Sequence, residues 1–112
     1  MAQTPVTREA GEAARDAALA VPGVAGLHGG RVGEVALLLP GARIEGLRPA
    51  RRDDTSGIAV HVIYDVDSER EIQAVADDVR AAVAATGEYP FVDVVVADAV
   101  RASQQPARPT AQ

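Results

Sequence analysis

The sequence contains no cysteine and no lysine, and only 3% of its residues are aromatic. The lack of cysteine excludes a disulfide framework, a thiolate metal site and a cysteine nucleophile. The lack of lysine excludes the Walker P-loop, G-x-x-x-x-G-K-[ST], because its lysine neutralises the β- and γ-phosphates of the nucleotide. With so few aromatic residues, the hydrophobic core has to be built from valine, leucine, isoleucine and alanine.

Long apolar runs and an excess of positive charge are also missing. The apolar runs, VALLL and VVVA among them, are far shorter than the ~20 residues that cross a bilayer as a helix. The N-terminal stretch, MAQTPVTREAGEAARD, lacks the basic-then-apolar order of a secretion signal. The formal net charge of −5 would repel a phosphate backbone. We therefore expect a soluble, cytoplasmic protein that does not insert into membranes and does not bind DNA.

Two helices are predicted from their capping signals. Thr7 can cap a first helix that runs to about Val21, where a Pro-Gly pair stops it. Ser68 and Glu71 form an S-x-x-E capping box that predicts the start of a second helix. Gly87 occupies the position where glycine commonly ends a helix. Both helices carry an apolar stripe at three- and four-residue spacing, which is typical of helices that pack against a sheet.

The strands are predicted from apolar runs and turn residues. They cover residues 24–27, 32–39, 42–47, 57–66 and 91–99. Pro40-Gly41 predicts a tight turn and therefore a hairpin, whereas residues 48–56, RPARRDDTS, predict a polar loop. Residues 57–66, GIAVHVIYDV, are apolar on both alternations and predict a central strand that is covered on both faces.

This order of elements predicts an α+β fold: a small mixed β-sheet of four to five strands with two helices packed on one face. The final strand–helix–strand unit should have parallel strands. The apolar character of two strands indicates that the other face of the sheet is partly covered, and a second copy of the chain could cover it. Residues 1–6 are predicted to be a disordered start, residues 7–99 a single domain and residues 100–112 a disordered tail.

The segment VPGVAGLHGGRVGEVALLLPG contains six glycines. A dinucleotide-binding fingerprint needs a strand before its glycines and a helix after them, and this chain has the opposite order. Gly23 to Gly26 match the G-x-x-G loop with which KH domains clamp RNA. That loop lies between two helices and carries basic residues, and neither condition holds here. We favour a helix stop followed by turns, and keep a KH-like RNA-binding module as the alternative.

No catalytic, cofactor-binding or metal-binding residue is predicted, and no cofactor is expected. His28 and His61 share no local motif of the kind that metal sites use. The basic cluster of the chain is Arg48, Arg51 and Arg52, which two aspartates follow directly. A solvated segment with local ion pairs is the favoured interpretation of this cluster. The alternative is a docking patch for an acidic partner or for lipid headgroups, and these three arginines are the candidate partner-binding residues.

Several stretches together resemble a known family. They are VPGVAGL after an alanine-rich helix, the hairpin GEVALLLPGARIEGLRP, the strand and helix GIAVHVIYDVDSEREIQAVADDVRAAVAA, and the strand PFVDVVVADA. The residues that match are hydrophobic or turn positions, and one arginine: Pro22, Gly23, Val24, Leu27, Gly57, Val60, Val62, Ile72, Val75, Val79, Arg80, Val92, Val94 and Val96. Over residues 7–99 the chain is similar to the alkaline-shock-protein family of envelope stress response proteins.

The resemblance implies a non-enzymatic cytoplasmic protein of the envelope stress response. It implies a scaffold or adaptor near the membrane that associates with itself and with a membrane-anchored protein. The matching positions carry no catalytic residue, so the resemblance provides no active site. The KH-like alternative would make RNA the partner, although the acidic charge of the chain argues against it. A third alternative, a small-ligand-binding regulatory domain, has no predicted site.

Overall fold

A computed structural model of the chain describes residues 7–39 and 41–101. These residues form two α-helices and six β-strands. The elements are α1 (Arg8–Leu19), β1 (Val24–Leu27), β2 (Ala36–Leu39), β3 (Ala42–Glu45), β4 (Leu47–Arg52), β5 (Thr55–Asp65), α2 (Ile72–Ala84) and β6 (Val92–Val100). Strands β1, β4, β5 and β6 form one mixed sheet, and β2 pairs with β3 in a separate hairpin.

Strand β5 is the centre of the mixed sheet. It pairs with β6 in parallel and with β1 and β4 antiparallel. His61 of β5 donates its backbone N–H to the carbonyl of Gly46, 2.8 Å away, and accepts from the N–H of His28 at 2.9 Å. The N–H and C=O of one strand residue point to the same edge. Strands β4 and β1 therefore lie end to end along one edge of β5, and β6 lies along the other.

The core lies between the two helices and one face of the sheet. It contains small and branched apolar side chains from α1, α2 and the sheet, as the composition requires: Ala14, Ala18, Leu47, Ile58, Val60, Val62, Val75, Val79, Val83 and Val92 are among them. The predicted α+β fold is therefore confirmed, with both helices on one face. Residues 57–60 are buried on both faces of β5, whereas further along the strand Val62 is fully buried and His61 and Ile63 on the opposite face are half-buried.

The helix ends follow the predicted signals only in part. Thr7 is the N-cap of α1, and its hydroxyl accepts from the N–H of Ala10 at 3.0 Å. Gly87, with φ +78°, follows α2 as predicted.

The predicted capping box at the start of α2 does not form. Ser68 belongs to a 3-10 turn over Val66–Ser68, and its hydroxyl accepts from the N–H of Arg70. The helix begins later, with Glu71 as an N-cap that makes no side-chain capping bond. The cause is Glu69, whose φ of +64° interrupts a helical path between the serine and α2.

The predicted polar loop over residues 48–56 is also wrong, because most of it is strand. Strand β4 pairs along β5, and Arg52 lies opposite Thr55 across a two-residue turn. Asp53 in that turn has φ +56°, a conformation that aspartate tolerates better than most residues. Pro49 lies opposite Ile58, whose own backbone N–H bonds towards β6, so the proline removes no hydrogen bond between β4 and β5.

The last strand extends one residue beyond its predicted end. Val100 closes β6 opposite Asp65, so the segment predicted as a tail from residue 100 begins inside the sheet. Arg101 follows, and one of its Nη atoms lies 3.3 Å from the carboxylate of Asp67. The predictions for residues 1–6 and 102–112 lie outside the described residues.

Candidate interaction surface

The face of the mixed sheet opposite the helices is the candidate functional surface, and we call it the open face. Because side chains alternate along a strand, every second residue of each strand contributes to it. The open face consists of Arg48, Ala50, Arg52, Gly57, Ala59, His61, Ile63, Asp93 and Val95. It combines a basic side along β4, a small and apolar centre along β5 and an acidic residue on β6.

The centre of the open face is flat. In the strand register, Arg48 of β4, Ala59 of β5 and Asp93 of β6 lie side by side. The next row along β5 places His61 beside Val95. Val95 is 41% exposed, which is high for a valine at the middle of a nine-residue strand. Small side chains thus separate an arginine on one edge from an aspartate on the other.

One corner of the open face is closed by its own side chains. A guanidinium nitrogen of Arg52 lies 2.5 Å from a carboxylate oxygen of Asp93. The same guanidinium lies 4.1 Å from the ring centroid of Phe91, a cation–π contact. The ring lies on Gly57, where an added Cβ would be 2.8 Å from two ring carbons. Arg52 is therefore committed to contacts within the chain.

The structure separates the three arginines that are adjacent in sequence. Arg48 and Arg52 lie four residues apart on β4 and share the open face, whereas Arg51 lies on the opposite side of the strand. All three side chains are exposed. The predicted cluster is thus a basic strand with two faces, and Arg48 is its member beside Ala59, on the β4 edge of the open face.

His61 is the titratable residue at the centre of the open face. Partial burial lowers the pKa of His61 first, and the positive charges of Arg48 and His28 lower it further, while Glu34 opposes them. The imidazole is therefore held in its neutral form at a lower pH than usual. The sequence predicts no metal site. Within residues 7–39 and 41–101, no group of three histidine or acidic side chains is placed to hold a metal ion.

His28 and Glu34 organise the glycine-rich turn before β2. The Nδ1 atom of His28 accepts from the N–H of Gly30 at 3.0 Å, and the carboxylate of Glu34 accepts from the N–H of Val32 at 3.1 Å. Hydrogen bonds from backbone N–H groups lower the pKa of Glu34, and the nearby His28 contributes to the same shift. Both side chains therefore stabilise the turn by accepting hydrogen bonds from its backbone.

The G-x-x-G residues serve packing and pairing in this fold. Gly23 has φ +100°, and a Cβ there would lie 2.6 Å from a methyl carbon of Val75 on α2. Gly26 lies within β1, opposite Ile63 of β5. These residues enter a strand after α1, so they do not form the loop between two helices that a KH domain uses. The geometry adds no support to the RNA-binding alternative.

The sequence interpretation missed three residues of this surface: Phe91, Asp93 and Val95. A signal was present, because Asp93 and Val95 alternate with buried or half-buried valines along FVDVVVADA. Reading that alternation as two faces would have placed both residues away from the core. Their contact with β4 could not be read in the same way, because it depends on the order of strands in the sheet.

No helix in the described part of the chain is long and apolar enough to cross a membrane.

Comparisons with known proteins return few matches. No protein-family model matches the chain, and no curated protein matches it. Among solved structures, a doubly substituted variant of MamM-CTD is 19% identical, with a TM-score of 0.43 over 83% of this chain and 90% of its own. Another such variant is 20% identical, with a TM-score of 0.39 over 83% of this chain and 92% of its own. At these values the likeness carries no argument about function.

Proposed function

We propose that this protein is a non-enzymatic, cytoplasmic scaffold that associates with itself and is recruited to the membrane by an anchored protein. The observation that carries the proposal is the open face. Protein interfaces commonly place apolar side chains at the centre and charged ones at the rim. Ile63 and Val95 supply the apolar part, and Arg48 and Asp93 supply charges of opposite sign beside it.

The place of this scaffold in the envelope stress response rests on the family resemblance of residues 7–99. An acidic chain has little affinity of its own for an anionic membrane surface, so location at the envelope would require a partner. The arginines of β4 are a local excess of positive charge in that acidic chain. Of the three arginines predicted to bind a partner, Arg48 and Arg51 are the proposed contact for an acidic region of the membrane-anchored protein, because Arg52 is held by Asp93 and Phe91.

The contacts of the three arginines determine which variant is suited to a test of recruitment. Arg52 is left unchanged, because its replacement by glutamate would place two acidic side chains together at Asp93. The test variant is Arg48→Glu/Arg51→Glu. The control is Arg31→Glu/Arg80→Glu, which changes the net charge equally at exposed arginines of the turn before β2 and of α2, at the loss of one exposed ion pair with Asp77. Both variants alter exposed side chains, where substitutions usually change stability by about 0.5 kcal/mol or less.

The readout is the position of a fluorescently tagged copy under envelope stress, together with crosslinking and recovery of bound membrane proteins. We expect the wild type and the control variant at the cell periphery and the test variant dispersed through the cytoplasm. An even distribution of the wild type, with no membrane protein recovered, would contradict the scaffold proposal. Peripheral location of the test variant would show that the β4 arginines are not the contact.

A further inference from the structure

We infer that the open face binds the open face of a second copy, with the two sheets stacked about a two-fold axis parallel to β5. This inference rests on the proposed self-association and specifies its geometry. Two sheets that pack face to face are separated by about 10 Å and keep their strands roughly aligned. The small side chains of Ala50 and Ala59 leave room for a second sheet at that distance.

Charge complementarity selects the direction of the axis. Strands β4 and β6 lie on opposite edges of β5, so a half-turn about an axis along β5 places β4 of one copy over β6 of the other. Arg48 and Asp93 both lie beside Ala59, and therefore at the same level along the axis. The half-turn brings Arg48 of each copy opposite Asp93 of the other, whose carboxylate also contacts Arg52 of its own chain. An axis perpendicular to the strands would instead stack the basic strands on each other, which is unfavourable.

The acidic side of the open face extends further along β6. An irregularity in the β5–β6 register, between Val62 and Ile63, places Asp98 beside Ile63 and so on the same face. Asp98 is exposed, like Arg48 at the other edge. After the half-turn, Asp93 of each copy faces the basic strand β4 of the other, and Asp98 faces β1 at the level of Gly26. Charges of this kind set the register of an interface more than its strength.

The apolar centre supplies the area that association would bury. His61 and Ile63 of β5 lie along the proposed axis and are half-buried, and Val95 lies one strand away from it on β6. With Asp98 the open face has ten residues, fewer than the roughly 20–30 residues per partner of a stable interface. The dimer should therefore be weak and its population should depend on protein concentration. Because its polar contacts include exposed ion pairs, it should also weaken as salt is added.

The first experiment measures self-association by sedimentation velocity at protein concentrations up to the millimolar range. We expect the wild type to dimerise, and Val95→Arg to weaken dimerisation by at least about tenfold, because it places another cation one row from Arg48 of the other copy. The control is Val32→Arg, which changes an 88%-exposed valine in the turn before β2 and should leave dimerisation unchanged. Thermal melting of each variant establishes that it is folded.

The second experiment exchanges charges and does not depend on Val95. Arg48→Glu alone places two acidic side chains opposite each other in its homodimer, and Asp93→Arg alone places two basic ones there. Each should dimerise at least about tenfold less tightly than the wild type. An equimolar mixture should recover wild-type dimerisation, because both pairs in the mixed dimer then have opposite charges. A merely structural effect of either substitution would not be restored by mixing.

The outcomes separate this inference from the proposed function. A wild type that remains monomeric at every concentration would overturn the self-association on which both rest. A wild type that dimerises while Val95→Arg, Arg48→Glu and the mixture all behave as the wild type does would overturn the two-fold arrangement alone. In that case the copies would meet through a different surface, and the scaffold proposal would stand.

Discussion

Gly57→Ala should destabilise the domain because of a contact between backbone and ring that only glycine allows. Gly57 is buried near the start of β5, and it does not have a positive φ. A Cβ added there would lie 2.5 Å from the carbonyl oxygen of Phe91 and 2.8 Å from two atoms of its ring. That carbonyl accepts from the N–H of Ile58 at 3.3 Å, beside the first pair of the β5–β6 ladder. The methyl group must therefore displace backbone.

The magnitude follows from opposing effects. Forcing an extra carbon into a packed region costs about 1–3 kcal/mol, and weakening the hydrogen bond to Ile58 adds about 1 kcal/mol. Replacing glycine by alanine also restricts the unfolded chain, which stabilises the fold by about 0.4–1 kcal/mol. The free energy of unfolding should therefore fall by roughly 1–3 kcal/mol. For a domain of this size, each kcal/mol corresponds to about 4–8 °C in melting temperature.

Thermal and urea unfolding followed by circular dichroism measure this change, and Gly26→Ala is the matched control. Gly26 also lies in a strand without a positive φ, but its added Cβ would meet its nearest neighbour, a methyl carbon of Ile63, at 3.8 Å. We expect the control to melt at or slightly above the wild-type temperature. Equal melting temperatures for the two variants would refute the close approach of Phe91 to β5.

Three further substitutions test other parts of the fold. Val62→Asp should unfold or aggregate the protein, because Val62 is fully buried and an unpaired charge there costs several kcal/mol. A melting temperature within a few degrees of the wild type would contradict this expectation. Because the pKa of His61 is lowered in the folded protein, the unfolded chain binds the proton more readily. The free energy of unfolding should therefore decrease as the pH drops below about 6.5. In thermal melts at pH 7.5 and 5.5, the fall in melting temperature should be smaller for His61→Gln than for the wild type. Tyr89→Phe removes a 2.7 Å bond from the phenol to the carbonyl of Ala10 and should cost about 1 kcal/mol by urea unfolding, whereas no loss would show that water replaces the bond.

Much of the fold could be predicted because its strongest signals are local. A capping threonine, an alanine stripe and a Pro-Gly stop define α1 within a few residues of its observed ends. The β-branched run of β5 identified the central strand, and a helix between two strands gave the parallel pairing of β5 with β6. Each signal lies within one element or between consecutive elements, so no knowledge of the remaining chain was needed.

Strand β4 could not be recognised because its residues suit a position that the sequence does not reveal. Proline and three arginines oppose a central strand, yet they are acceptable at an edge. Leu47 alone is fully buried on β4, and one buried residue gives no alternation to detect.

The start of α2 was predicted wrongly for a related reason. S-x-x-E was a valid local signal, but the left-handed conformation of Glu69 redirected the chain before the helix began.

The open face shows why adjacency in sequence is a poor guide to a binding surface on strands. Arg51 and Arg52 are neighbours in the chain, yet strand alternation sends them to opposite sides of β4. Arg48 and Asp93, by contrast, are far apart in the chain and lie two strands apart on the same row of one face. A substitution of all three arginines would combine three environments: Arg48 beside His61, Arg51 on the helix side and Arg52 held by Asp93 and Phe91. Single variants separate them, and Arg48→Glu is the one whose effect should depend on the charge of residue 93 in a second copy.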